Sequence, residues 1–514
     1  MSRSLLRSTS TVGANTLLSR ILGFARDVVI AGSFGAGAQA DAFFVAFRIP
    51  NLFRRLFAEG AFSQAFVPVL SEQRSENGDD AVRDLAAHVA GALLCVLLLV
   101  TAIGILAAPV LVWVFAPGFH ADGDKFELTV QMLRICFPYL LFISLTSLSA
   151  GILNTYGRFA VPAFTPVLLN ICLIVATVSV APHMSNPVIA LAGGVFVSGV
   201  VQLLFQLPFL ARIGMLFRPR LSLAHAGMRK VARLIVPALF GVSVAQLNIL
   251  LNTLMASFLV AGSVSWLYYS DRIVEFPLGV FGIALATVIL PSLSREHASG
   301  DPMVFSRTLD WALRLVCVLA APATVGIAIL AAPMLCTLFQ YGAFSPRDVE
   351  LSSMSLMAFA LGLPGFVGVK VLATGYFSRQ DMRTPVRIAA MAVLTNLIIS
   401  VLLVGPLAHV GLALGTASAA ILNAALLYRG LHRAGVHRPE PGWRRLLLQV
   451  LLANLAMAVF LLLLRGEISE WFELGALQRG LTLGGLVVGG ALVYLASLLL
   501  MGLRVRELLS PASA

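Results

Sequence analysis

Runs of about twenty apolar residues, separated by short polar and basic segments, recur along the whole of this 514-residue chain. Each run is long enough to cross a hydrocarbon core of roughly 30 Å as a helix rising about 1.5 Å per residue. The pattern predicts helices near 12–34, 42–70, 88–113, 128–153, 160–181, 187–211, 231–260, 265–293, 308–338, 350–376, 385–404, 410–428, 445–464 and 480–502. An all-α integral membrane protein with fourteen transmembrane helices is therefore expected, because only helices and closed barrels satisfy their backbone groups in lipid. Short alternating segments that would mark a β-barrel do not occur.

Composition agrees: 59% of residues are hydrophobic, 12% are charged and the mean hydropathy is +0.92. The net charge of +12 raises the question of nucleic acid, but the basic residues are placed by topology. Of 36 Lys and Arg, 23 lie in the first ten residues and in 71–87, 154–159, 212–233, 294–307, 377–387, 429–445 and 503–514. The alternate connections hold only Lys125, Arg347, Arg465 and Arg479. The positive-inside rule then puts both termini in the cytoplasm, with MSRSLLRSTS as a mature cytosolic start and no nucleic-acid partner. Cys95, Cys136, Cys172, Cys317 and Cys336 all fall in apolar runs, without metal spacing, and are assigned to packing.

An internal repeat organises the chain. VPVLSEQ at 67–73 matches LPSLSRE at 290–296, LAAPVLVWVFAPGF from 106 matches LAAPMLCTLFQYGAF from 330, and Pro162 matches Pro385, all at an offset of 223 or 224. Six helices fill each period, so the two copies run parallel, as in transporters whose substrate site lies near the midplane between the halves. The expected division is 1–211 for the N-lobe, 212–230 for a basic and partly interfacial linker, 231–430 for the C-lobe and 431–514 for a terminal pair, helices 13 and 14.

The membrane runs also carry charge. Arg20, Arg26 and Asp27 lie deep in the first helix, since Arg26 is roughly 22 Å along it. The second run adds Arg48, Arg54, Arg55 and Glu59 around Pro50; the corresponding part of the second half adds Asp271, Arg272 and Glu275 before Pro277. Centred charges cost about 2.5–3.5 kcal/mol each and face a bundle interior or a wet cavity. Single pairs such as Arg26 with Asp27 or Arg55 with Glu59 could be structural locks. The surplus of arginine over carboxylate in the first two helices nevertheless points to an anionic ligand, and guanidinium forks suit phosphate oxygens. Lys370 reads as snorkelling or paired, Gly362, Pro364 and Gly365 as a kink, and SEQRSENGDDAVRD as a solvated loop.

The stretches GFARD, DAFFVAFRIPNLFRRLFAEGAFSQAFVP, GILNTYGRFAVPAFTP, GSVSWLYYSDRIVEFPLGVFG and GYFSRQDMRTPV resemble the MurJ (MviN) lipid II flippases of the MOP exporter superfamily over essentially the whole chain. The resemblance implies two six-helix lobes around a cationic cavity and a terminal helix pair forming a hydrophobic groove. It implies that Arg20, Arg26, Asp27, Asp41, Arg54 and Arg272 stand at the family's functionally required charged positions. It also implies the substrate, an undecaprenyl-diphosphate-linked disaccharide-pentapeptide moved to the periplasmic leaflet for cell wall synthesis. Some such proteins bind sodium through a carboxylate, where this chain has Asn252, Thr395 and Asn396.

The resulting expectation is a transporter, not an enzyme, working by alternating access without cofactor or metal. Arg20, Arg26, Arg54 and Arg272 would clamp the diphosphate, Asp27 and Asp41 would hold those guanidiniums or switch partners, and Arg48, Arg55, Glu59, Asp271 and Glu275 would line the cavity. Helices 13 and 14 would guide the prenyl tail, membrane lipids would surround a monomer, and the membrane potential would supply direction. The alternatives are another MOP-type exporter of oligosaccharide-lipid or drugs, or an intramembrane prenyl-diphosphate enzyme. Drug exporters favour cavity carboxylates, and an enzyme would need clustered metal ligands or a His nucleophile, whereas His88, His120, His183, His225 and His409 are scattered.

Overall fold

The computed structural model describes residues 3–55, 61–221 and 226–503. The described chain is helical, and packing divides it into two compact units, Met1–Val264 and Ser265–Ala514. Ten helical stretches among the described residues are long and apolar enough to cross a bilayer.

The first unit contains α1 (Arg3–Phe34), α2 (Ala38–Arg54), α3 (Ala61–Leu106), α4 (Ala108–Phe115), α5 (Gly123–Cys136), α6 (Tyr139–Thr155), α7 (Ala160–Val175), α8 (Ile189–Arg212) and α9 (Ala226–Ser257). Pro138 separates α5 from α6 inside what reads in sequence as one run. The segment SEQRSENGDDAVRD, expected as a loop, is helical instead: α3 passes through it and departs from helical geometry only at Gly78, whose φ is 79°. Its charges explain how a polar helix persists there. Lys230 Nζ donates to Glu72 at 2.5 Å, Arg74 Nη1 donates to the Thr155 carbonyl at 2.7 Å, and Val82, Leu85 and Ala86 on the other face are buried with Phe66, Leu70 and Ile152. Arg220 N donates to Ala87 O, and the close approach of that backbone requires Gly91, where a Cβ would lie 2.2 Å from the Arg220 oxygen.

The second unit contains α10 (Ser263–Pro277), α11 (Ala284–Ser299), α12 (Pro302–Phe339), α13 (Pro346–Leu361), α14 (Leu363–Phe377), α15 (Arg383–Arg433), α16 (Trp443–Leu464), α17 (Ile468–Glu473) and α18 (Ala476–Leu500). A π-helical stretch, Leu278–Ile283, joins α10 to α11 just after Pro277. The runs 385–404 and 410–428 merge into α15, broken by non-helical geometry at Ala408. The kink expected at Gly362 is present between α13 and α14. A Cβ on Gly362 would meet Ala417 Cα at 2.7 Å and one on Gly365 would meet Ile421 N at 2.6 Å, so these glycines let α14 press against α15.

Helix α12 is the element to which α16 and α18 attach. Pro322 and Pro333 have no N–H, which leaves the carbonyls of Val318 and Ile329 without their usual helical donors. Each is taken over from outside: Tyr494 Oη of α18 donates to Val318 O at 2.8 Å, and Arg465 Nη1 at the end of α16 donates to Ile329 O at 3.0 Å. Buried Arg479 finishes the same helix, donating to Cys336 O and Gln340 O at 3.3 and 3.2 Å. Arg465 and Arg479, which read as loop charges in sequence, are therefore carbonyl donors.

Candidate functional site

Arg26 and Asp27 are both buried in α1. The Arg26 guanidinium donates twice to Asp27 Oδ1, from Nη2 at 2.6 Å and Nε at 3.0 Å, and once from Nη1 to Asn170 Oδ1 of α7 at 3.1 Å. Asn170 in turn donates to Ser19 O at 3.0 Å, lying against Gly23. A desolvated guanidinium in an apolar helix is tolerable because an acid and an amide share its hydrogens. Arg20, six residues earlier, is turned about 120° away on a helix of 100° per residue. It is exposed and bonds to no described residue.

Asp41, Arg48 and Arg55 are spaced seven residues apart and share one face of α2. That face meets α9 in antiparallel register. Gly262 N donates to Asp41 Oδ2 at 2.8 Å, Arg48 Nη1 donates to Thr253 Oγ1 at 2.5 Å, and Arg55 Nη1 donates to Gln246 Oε1 at 3.3 Å. Arg54 lies off this face and donates to Asn51 of its own helix at 2.8 Å. Asp41, expected to hold a guanidinium or to switch partners, pairs with the ammonium of Lys125 at 3.0 Å, with both side chains buried and the ammonium 3.9 Å from the Phe119 ring centroid. Lys125, taken in sequence for a loop residue, sits in the first turn of α5, capped by Asp122. Glu59 lies outside the described residues.

In the second unit Arg272 donates from Nε and Nη2 to Tyr268 Oη at 3.2 and 3.1 Å, and from Nη1 to Glu275 at 2.7 Å. Its side chain is 35% exposed, unlike that of buried Arg26. Asp271 and Glu275 are exposed on the same helix. Lys370 is exposed, its stem against Gly282 of the π-helical stretch. Asn396 is fully buried and accepts from Ser400 Oγ at 3.2 Å.

The two units thus present separate charged groups: Arg26–Asp27–Asn170 and the α2–α9 ladder in one, Arg272–Tyr268–Glu275 in the other. Sequence reasoning missed Lys125, Asn170, Thr253, Gln246 and Tyr268. The heptad spacing of residues 41, 48 and 55 was the available signal for the ladder.

Comparison with known proteins places the chain in a family. The family profile described as "Lipid II flippase MurJ" matches residues 30–481. The protein named "Probable lipid II flippase MurJ" of Vibrio cholerae serotype O1 is 48% identical over 515 residues, covering 99% of this chain and 98% of that one. A solved structure titled "Lipid II flippase MurJ, inward closed conformation" superposes with a TM-score of 0.79 at 26% identity, covering 95% of this chain and 97% of that one. An inward-facing multidrug resistance MATE family transporter of the MOP superfamily shares the fold, with a TM-score of 0.68 at 13% identity over 81% of this chain and 95% of that one.

Proposed function

The chain belongs to the MurJ family of lipid II flippases and is itself a lipid II flippase, a multi-pass membrane transporter rather than an enzyme, and on that premise we propose how its charges carry the substrate. Lipid II cannot cross unaided, because its diphosphate and sugar hydroxyls would leave water with no replacement partners. Arg20, Arg26, Arg54 and Arg272 supply them, binding the diphosphate while the undecaprenyl tail stays in lipid. The observation that carries this reading is the buried Arg26 fork held by Asp27 and Asn170. An arginine kept in place by a carboxylate can be handed to a phosphate without being left uncompensated at any stage.

Asp27 is the partner that exchanges, and Asp41 acts differently from Asp27: with Lys125 and Gly262 N it fixes one end of α2. Arg48 and Arg55 extend that ladder along α9, and Asp271 and Glu275 keep Arg272 hydrated and oriented. Transport proceeds by alternating access in a monomer surrounded by lipid, with the terminal pair α16 and α18 guiding the tail. An inside-negative potential worth about 2.3 kcal/mol per charge per 100 mV drives the anionic headgroup outward.

The chain crosses the membrane fourteen times, with both termini cytoplasmic, in repeats of 1–211 and 231–430 joined by 212–230 and followed by 431–514. Support comes from α15, whose 51 residues would extend about 76 Å and which breaks at Ala408, and from Pro68 and Pro291, repeat-related residues each held inside a helix. The test is replacement of the native protein in cells by Arg26→Ala or Arg272→Ala, with lipid II measured in each leaflet. Both variants should insert and leave lipid II in the inner leaflet; normal outward delivery by both would overturn the clamp.

A further inference from the structure

The connector between α15 and α16 is bound to the first turns of α12 through one carboxylate. Asp310, in the third turn of α12, is 1% exposed. It accepts from Arg314 Nε at 2.8 Å, from the Trp443 indole at 2.8 Å, from His437 Nε2 at 3.2 Å and from Glu440 N at 3.4 Å. Around it Arg438 N donates to Ser306 Oγ at 2.9 Å, Arg307 pairs with Glu440 at 3.1 Å, and Arg314 Nη2 donates to Pro441 O at 3.0 Å. Gly435 and Gly442, with φ of 68° and 101°, supply the left-handed backbone that folds the connector back onto α12.

Trp443 is the first residue of α16, so the Asp310 carboxylate fixes where that helix starts and how it is rotated. Rotation matters because α16 and α18 each carry an exposed apolar stripe at helical spacing, Leu448, Leu451 and Leu455 on one and Val488, Leu492 and Leu495 on the other. One residue of slip turns a stripe by about 100°. Apolar packing alone would hold the connector without setting its angle, whereas directional bonds to a buried carboxylate set both.

We propose that Asp310 is a positioning residue for transport: through Trp443 and His437 it registers α16 and α18 on α12 and so aligns the surface that receives the prenyl chain. The inference rests on the tail-guiding reading of the helix pair given above.

The test compares translocation of lipid II bearing its undecaprenyl tail with that of an analogue bearing a farnesyl tail, by purified full-length protein in vesicles. The wild type should favour the long tail. Asp310→Asn should lower that preference roughly tenfold (about 1.4 kcal/mol) while moving the farnesyl substrate at near the wild-type rate. Trp443→Phe, which removes one donor and keeps an aromatic ring of smaller size, should act in the same direction more weakly and covers the case in which Asp310→Asn does not fold. An unchanged preference in a folded variant overturns the proposal, and so does an equal loss for both tails, which would mean a merely structural clasp. A wild type indifferent to tail length removes the tail-guiding reading itself, and the positioning role with it, before any variant is made.

Discussion

The Arg26 guanidinium donates to Asp27 and Asn170 in a fixed planar arrangement, and a lysine ammonium cannot reproduce that fork. Arg26→Lys should therefore insert normally yet lose most translocation, read as lipid II retained in the inner leaflet. Asp41→Asn leaves the buried Lys125 ammonium without its acid and should cost about 3–5 kcal/mol, measured by denaturation in detergent. Adding Lys125→Met should recover part of that loss, which separates the pair energy from the site itself. Buried charge was readable where its cost marks it, as at Arg26 and Asp27. Lys125 was not readable, because a lysine beside DGD at the end of an apolar run is indistinguishable in sequence from a solvated one. Its burial depends on Asp41, 84 residues away.

Among the elements, α12 shows how one motif gives two structures. In LAAP at 106–109 Leu106 ends α3 and Ala108 begins α4, with Pro109 in its first turn; LAAP at 330–333 lies inside an uninterrupted α12. The difference follows from a donor: in the second copy Arg465 satisfies the carbonyl that Pro333 leaves open. Such a long-range partner leaves no local trace, so helix existence could be read from the apolar runs while continuity could not. Tyr494→Phe should cost about 1–3 kcal/mol by leaving Val318 O unpaired, and Pro322→Ala in the same chain should return part of it by restoring the helical N–H. Thermal unfolding of the two variants checks both signs.

Asp381, in the turn before α15, accepts from the Thr384 hydroxyl at 2.7 Å and from the N–H groups of Thr384 and Arg383. These bonds, the hydroxyl first, hold its carboxyl below the ordinary carboxylate range. A depressed native value means that the contribution to stability is complete above the unfolded value of about 3.9 and is lost as pH falls through the native one. Protection from hydrogen exchange at the start of α15, after correction for the intrinsic pH dependence of amide exchange, should therefore fall only in acid, and Asp381→Asn should abolish that dependence.

At the scale of the molecule, the all-helical class and the membrane crossing were legible because lipid imposes one rule on every apolar run, and the flippase family was legible through the resemblance of stretches such as GFARD and GSVSWLYYSDRIVEFPLGVFG. The division into packing units was not: α9 follows the basic linker in sequence yet packs in the unit ending at Val264. Hydrophobic pattern states which faces are buried, not which neighbour buries them. The proposed topology predicts that cysteines introduced near residues 8 and 508, in an otherwise cysteine-free chain, are labelled only after the inner membrane is permeabilised; labelling in intact spheroplasts would reverse it.

The prolines of α12 have a consequence for truncation. A chain that lost everything after Gly430 would leave the backbone oxygens of Val318 and Ile329 without their donors, a cost that replacing both prolines would relieve by restoring the helical N–H groups. The two prolines thus tie the integrity of α12 to the terminal helices that cap its open carbonyls.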